Sequence, residues 1–161
     1  MPEASELPRW YLRLGNLIAP RMSQMLPIPR GFALLHLRGR KSGKLRLRPV
    51  RAIRDGDTLY AVALAGERTD WLHNARANPE IRVKVGTRTR PATVREMTDA
   101  EETARATEIY VSTVVTYDYQ DYPMVHWDFP TRRKIIDAHR RWVEDGTMVA
   151  IDLNEGERGS A

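Results

Sequence analysis

The sequence contains no cysteine, which excludes disulfides, thiolate nucleophiles and every zinc site built on sulfur. Its histidines number 4, and His36, His73 and His139 have no partners at metal-ligand spacing, so they are read as structural and no metal is expected. No run free of Asp, Glu, Lys and Arg exceeds nine residues, far short of the roughly 20 apolar residues that a membrane-spanning helix requires. The opening Met1-Pro2-Glu3-Ala4-Ser5-Glu6 is acidic where a secretory signal is basic, and no apolar core follows. The chain is therefore expected in the cytoplasm. Repeats, low-complexity tracts and linker-like stretches rich in Ser, Gly and Pro are also missing, so residues 1–161 read as one domain.

What is present is a chain with a real core. Hydrophobic residues make up 42% and charged residues 29%, a globular rather than disordered balance. The net charge of +5 is unevenly spread. Between Arg38 and Arg54 stand Arg38, Arg40, Lys41, Lys44, Arg46, Arg48, Arg51 and Arg54 with no acid among them, whereas the stretch from Glu96 to Glu108 holds five acids and one base. A charge focused on one hairpin-sized region suits a compact anionic small molecule at least as well as a long polyanion. Nucleic acid is disfavoured, because no aromatics interleave with these cations to stack bases.

The apolar pattern divides the chain into a lid at residues 1–30, a barrel core at 31–98, helices with an aromatic segment at 99–146, and a last strand at 147–154. Trp10, Leu14, Leu17, Ile18, Met22 and Met25 recur at helical spacing from Leu7 to Leu26, with a break at Pro20. This helix is expected to pack on the barrel, with contact to an anionic membrane surface as the lesser reading. Strands are predicted at Phe32–Arg38, Leu45–Arg54, Thr58–Leu64, Ile81–Val85, Thr89–Met97 and Met148–Leu153. A short helix through Trp71 to Ala75 ends at Asn78-Pro79. A longer one runs from Asp99 to Tyr110 or beyond behind the capping-box sequence Thr98-Asp99-Ala100-Glu101. A third follows Pro130-Thr131, buries Ile135, Ile136, His139, Trp142 and Val143, and stops at Gly146. Consecutive strands with few intervening helices indicate an α+β fold built on a small antiparallel split β-barrel with peripheral helices.

Two stretches bear on chemistry. In Arg38-Gly39-Arg40-Lys41-Ser42-Gly43-Lys44-Leu45-Arg46 the glycines let backbone amides approach a ligand, while the basic side chains supply charge, which makes an anion cradle. A solvated basic hairpin explains the same composition. Trp71-Leu72-His73-Asn74, ahead of Asn78-Pro79, follows the strand-end loop Ala65-Gly66-Glu67-Arg68, at a position typical of a barrel mouth.

Taken together, Gly-Arg-Lys-Ser-Gly-x-x-Arg-x-x-Pro, Trp-x-His-Asn-x-x-x-Asn-Pro and the alternating strand after them resemble the deazaflavin (coenzyme F420)-dependent nitroreductase family. The match covers roughly Arg38 to Met97. The resemblance implies a flavin-reductase-like split barrel and a reduced deazaflavin cofactor that carries a phosphate and an oligoglutamate tail. It implies hydride transfer to a quinone, a nitroaromatic or an activated double bond. By the same resemblance Arg40, Lys41 and Arg46 meet the phosphate or tail, Ser42 and Gly43 contribute backbone, and Pro49 and Val50 lie against the ring. Ala65, Gly66 and Arg68 close over the cofactor beside Trp71, His73 and Asn74. The alternatives are an FMN-dependent reductase and a non-catalytic split-barrel carrier of a fatty acid, haem or tetrapyrrole. Partners are a small-molecule cofactor and substrate, and the protein is a monomer or homodimer.

The C-terminal third departs from the family pattern. Tyr117, Tyr119, Tyr122, His126 and Trp127, with Phe129, either wall a pocket for a flat substrate or plug the barrel end.

Overall fold

The computed structural model describes residues 24–154. The order is β1 (Phe32–Arg38), β2 (Leu45–Asp55), β3 (Thr58–Ala63), a 3-10 turn (Gly66–Arg68), α1 (Asp70–Ala77), β4 (Glu80–Val85), β5 (Arg88–Arg95), α2 (Ala100–Ser112), α3 (Thr116–His126), α4 (Arg132–Asp145) and β6 (Thr147–Leu153). The strands form a closed barrel in the order β1-β2-β3-β6-β5-β4, antiparallel at every seam. Each predicted strand is present, β1 with the predicted ends and the others with ends shifted by no more than two residues. Closure leaves no edge open to other chains.

Alternation sets the inside. Ala33, Leu35 and Leu37 of β1 meet Ile81, Val83, Ala92, Val94, Val149 and Ile151 in one buried cluster. Small residues dominate because a six-strand barrel is narrow. The continuous apolar run of β3 is explained by burial on both faces. Leu59, Ala61 and Ala63 point inward, while Tyr60 and Val62 pack outward against Ala106 and Tyr110 of α2. One end of the barrel is plugged by α1, whose Trp71, Leu72 and Ala75 join the interior cluster.

Local signals start and stop the helices. The α2 cap is Asp99, whose side chain accepts the Glu101 amide at 3.1 Å; the sequence reading opened that cap at Thr98, one residue early. Thr131 caps α4 by accepting from the Lys134 amide at 3.3 Å. Gly146 follows α4 at a crossing so close that a Cβ there would lie 2.6 Å from Val62 Cγ1 and 2.8 Å from Ala63 O.

The aromatic segment, given no secondary structure from the sequence, forms the helix α3 as far as His126. Nothing in its sequence announces this: apolar residues show no helical periodicity, Pro123 lies inside it, and its single buried residue is Asp118. The predicted helix from Leu7 falls almost entirely outside the described residues. Among those residues, no helix is long and apolar enough to cross a membrane.

Candidate functional site

The β1–β2 hairpin closes on itself through Gly39 N–H to Lys44 O at 2.9 Å and Gly43 N–H to Gly39 O at 2.7 Å. Gly43 has φ +64° with open space where a side chain would stand, and a Cβ at Gly39 would come within 2.7 Å of Ser42 Oγ. The two glycines are therefore required by the turn, one for its backbone angle and one for the hydroxyl it accommodates.

Tertiary contact joins the two stretches that the sequence separates. Arg40 donates its backbone N–H to Asn74 Oδ1 at 3.1 Å, and its guanidinium reaches Asn74 Oδ1 at 3.0 Å and Asp70 Oδ1 at 3.1 Å. Arg40 was expected to meet the ligand. Its guanidinium is engaged with Asn74 and Asp70 of α1, contacts that tie the hairpin to the helix. Lys41, Lys44 and Arg46 have no carboxylate partner among the described residues and are exposed. Alternation puts Arg46 and Arg48 on the same face of β2 as the inward-facing Val50 and Ala52, at the α1 end. Burial draws the Arg48 guanidinium below its ordinary pKa, and Asp70 opposes this.

The loop after β3 is fastened to the same helix. His73 Nε2 donates to Glu67 O at 2.6 Å. Arg76 bridges Glu67 and Glu96 at 2.9 and 2.7 Å, hydrogen bonds that raise the arginine and lower Glu67. Ala65 and Arg68 are exposed beside this clamp, and Gly66 is buried with φ +54°. Val50 was expected against the ring and Trp71 beside the loop that closes over the cofactor. Val50 is 8% exposed and Trp71 6%, both within the barrel core. Pro49 faces the opposite side of β2 from Val50, because successive residues of a strand point to opposite faces.

The aromatics of α3 do not converge on one pocket. Tyr117 packs edge-on against Phe32 with centroids 4.9 Å apart, Tyr119 is partly exposed, and Trp127, at φ +52°, is 91% exposed. Tyr122 stacks on His126 at 4.3 Å. That pair, with Asp118, Asp121, His139 and Trp142, lines a cavity of about 20 Å³ between α3 and α4, which suits roughly one water molecule. Two imidazole atoms, His126 Nε2 and His139 Nε2, are buried there without a hydrogen-bond partner. Burial lowers His126 and raises Asp121, the neighbouring Asp118 adding to the latter.

Sequence reasoning missed the residues that attach α3. Arg51, on the outward face of β2, donates to Thr113 O at 2.6 Å, Tyr110 O at 3.2 Å and Asp118 Oδ1 at 3.3 Å, and lies 4.5 Å over the Tyr110 ring. Asp118 Oδ2 also accepts the Val115 amide at 2.8 Å. Burial alone would raise this carboxyl; His139, the Val115 amide and Arg51 outweigh it and hold Asp118 below the usual range. No sequence signal links partners separated by 67 positions.

The profile of the F420H(2)-dependent quinone reductase family matches residues 8–127. An F420H(2)-dependent quinone reductase of Mycobacterium tuberculosis is 33% identical over 69 residues, 41% of this chain and 46% of that protein. A Mycobacterium bovis protein described as an F420H(2)-dependent quinone reductase matches to the same extent. The chain thus spans under half the length of the curated relatives it matches. Among solved structures, an F420-H2 dependent reductase superposes with TM-score 0.51 at 21% identity over 78% of this chain and 97% of that one. A domain-swapped dimer superposes with TM-score 0.53 at 20% identity over 91% and 100%. These two likenesses establish the split-barrel fold.

Proposed function

The chain belongs to the F420H(2)-dependent quinone reductase family, and from that membership we propose that it binds reduced coenzyme F420 along the β1–β2 hairpin and reduces a quinone. The observation that carries the reading is the set of cations at the hairpin. Lys41, Lys44 and Arg46 stand without carboxylate partners among the described residues, on a turn that Arg40 ties to α1. A phosphate with an oligoglutamate tail needs such donors, which interact most strongly with ionised acceptors. The residues present fit the group.

When bound, the deazaflavin supplies the hydride. The chain's own part is to hold, orient and dry the site. Lys41, Lys44 and Arg46 bind the acidic end, and the space beside Gly43, where a side chain would stand, is open. The outward face of β2 leads from there past Leu47 and Pro49 to Phe32 and Tyr117, a span from Lys44 to Arg51 of about 23 Å at the usual strand rise. That length suits an extended cofactor with its ring toward α3. The phenol of Tyr117, whose ring packs on Phe32, would then be placed to hydrogen-bond a quinone oxygen and deliver a proton to it.

The test is a fluorescence titration with coenzyme F420 and with FMN, followed by steady-state reduction of menadione. Tighter binding of the deazaflavin and turnover with its reduced form support the reading. Preference for FMN, or F420 binding without quinone turnover, would sink it.

A further inference from the structure

The barrel ends differ. One is plugged by α1, while among the described residues no helix covers the other. At that second end Arg54 of β2 and Arg88 and Arg90 of β5 surround a cavity of about 100 Å³ whose floor is Val83, Val85 and Leu153. Strand alternation puts Arg90 on the inward face, two residues before Ala92 and paired with the inward Val83.

Elsewhere the chain pairs its structural arginines: Arg51 with Asp118, Arg76 with Glu67 and Glu96, Arg95 with Glu102 and Asp152. At this mouth only Arg54 has a carboxylate beside it among the described residues. Arg54 donates to Gly56 O at 2.8 Å and lies 3.5 Å from the exposed Asp57. Arg88 and Arg90 have no carboxylate partner among the described residues, although Arg90 is half-buried. Three like charges around an apolar floor repel one another. Arg54 and Arg88 are exposed and Arg90 is half-buried, so water screens part of this repulsion, while an anion set between the three is attracted by each. A guanidinium presents a fixed fork of donors suited to oxyanions, and the cavity admits only a compact one.

We propose that this mouth, about 26 Å along β2 from Arg46 at the usual strand rise, is a second anion site that takes a phosphate group. It is separate from the hairpin and independent of the hydride-transfer reading.

Thermal melts of the full chain in chloride buffer of matched ionic strength test it, with inorganic phosphate added in one arm and phenyl phosphate in the other. Bound phosphate stabilises the folded state by mass action, so Tm should rise saturably, by roughly 3–6 °C at ten times the Kd. The arm that saturates at lower concentration identifies free phosphate or a phosphate ester as the preferred form. The R88Q/R90Q double variant should lose the rise, and R46A should keep it. In chloride alone R90Q should melt no lower than the parent, because relieving repulsion offsets its lost packing. A phosphate-induced rise that persists undiminished in R88Q/R90Q would come from the hairpin cations or from the general effect of excluded salts and would overturn the proposal. So would its loss in R46A, a flat response in the parent, or a lower Tm for R90Q in chloride.

Discussion

Asn74 receives Arg40 twice, its Oδ1 accepting the backbone N–H at 3.1 Å and the guanidinium at 3.0 Å. One amide oxygen on α1 thereby fixes both the turn of the basic hairpin and the side chain that points away from it. Replacing Asn74 with alanine leaves a part-buried donor pair unmatched and should cost about 1–3 kcal/mol in urea unfolding. Combined with Arg40→Ala, the two losses should be non-additive by more than about 0.5 kcal/mol. Additive effects would mean that the hairpin and helix do not act as a unit.

At the hairpin, Arg46→Ala should weaken coenzyme F420 binding by about 1.5–3 kcal/mol, the range for a hydrogen bond to a charged group. Arg133→Ala, on the exposed side of α4, serves as the control and should change nothing. Raising salt should weaken binding to the parent, because exposed charges are screened over about 8–10 Å. Equal effects of the two substitutions in fluorescence titration would return the hairpin to a solvated surface.

Asp118 attaches α3 through charge, and its side chain is 5% exposed. Asp118→Asn strips the buried Arg51 of its counter-charge and should cost about 3–5 kcal/mol. The carboxyl is held below its ordinary value in the folded state. Its contribution is therefore complete above the unfolded pKa of about 3.9 and is lost as pH falls through the folded value. Melts from pH 7 down to pH 3 should show a steeper acid loss for the parent than for the variant, and parallel curves would contradict this assignment.

The aromatic segment divides into two classes of side chain. Trp127, 91% exposed, carries little of the fold, so Trp127→Ala should alter stability by no more than about 0.5 kcal/mol. Tyr122→Ala removes the ring stacked on His126 and should lower Tm clearly. If the quinone rests on Trp127, KM rises in that variant with Tm unchanged. A stability loss in Trp127→Ala as large as that in Tyr122→Ala would show that the exposed ring is part of a structural plug.

Much of this molecule is legible along the chain because strands, turns and caps depend on near neighbours. Ile81, Val83 and Val85 alternate with Arg82 and Lys84, so β4 is written in a period of two; Asp55-Gly56-Asp57 writes the turn between β2 and β3, and Gly146 the end of α4. Both halves of the candidate site are likewise readable as local motifs. What the sequence by itself determined is therefore the set of strands, most of the helices and the two motif stretches.

Only the tertiary structure decided which ends meet. Insertion of β6 between β3 and β5, the grip of Asn74 on Arg40, the attachment of α3 by Arg51 and Asp118, and the convergence of Arg54, Arg88 and Arg90 all join positions far apart in the chain. The physical reason is the same for each. A charged side chain looks solvated in a one-dimensional pattern, and it acquires a partner, or is denied one, only when closure of the barrel in a single register brings distant strands to the same side and the same end.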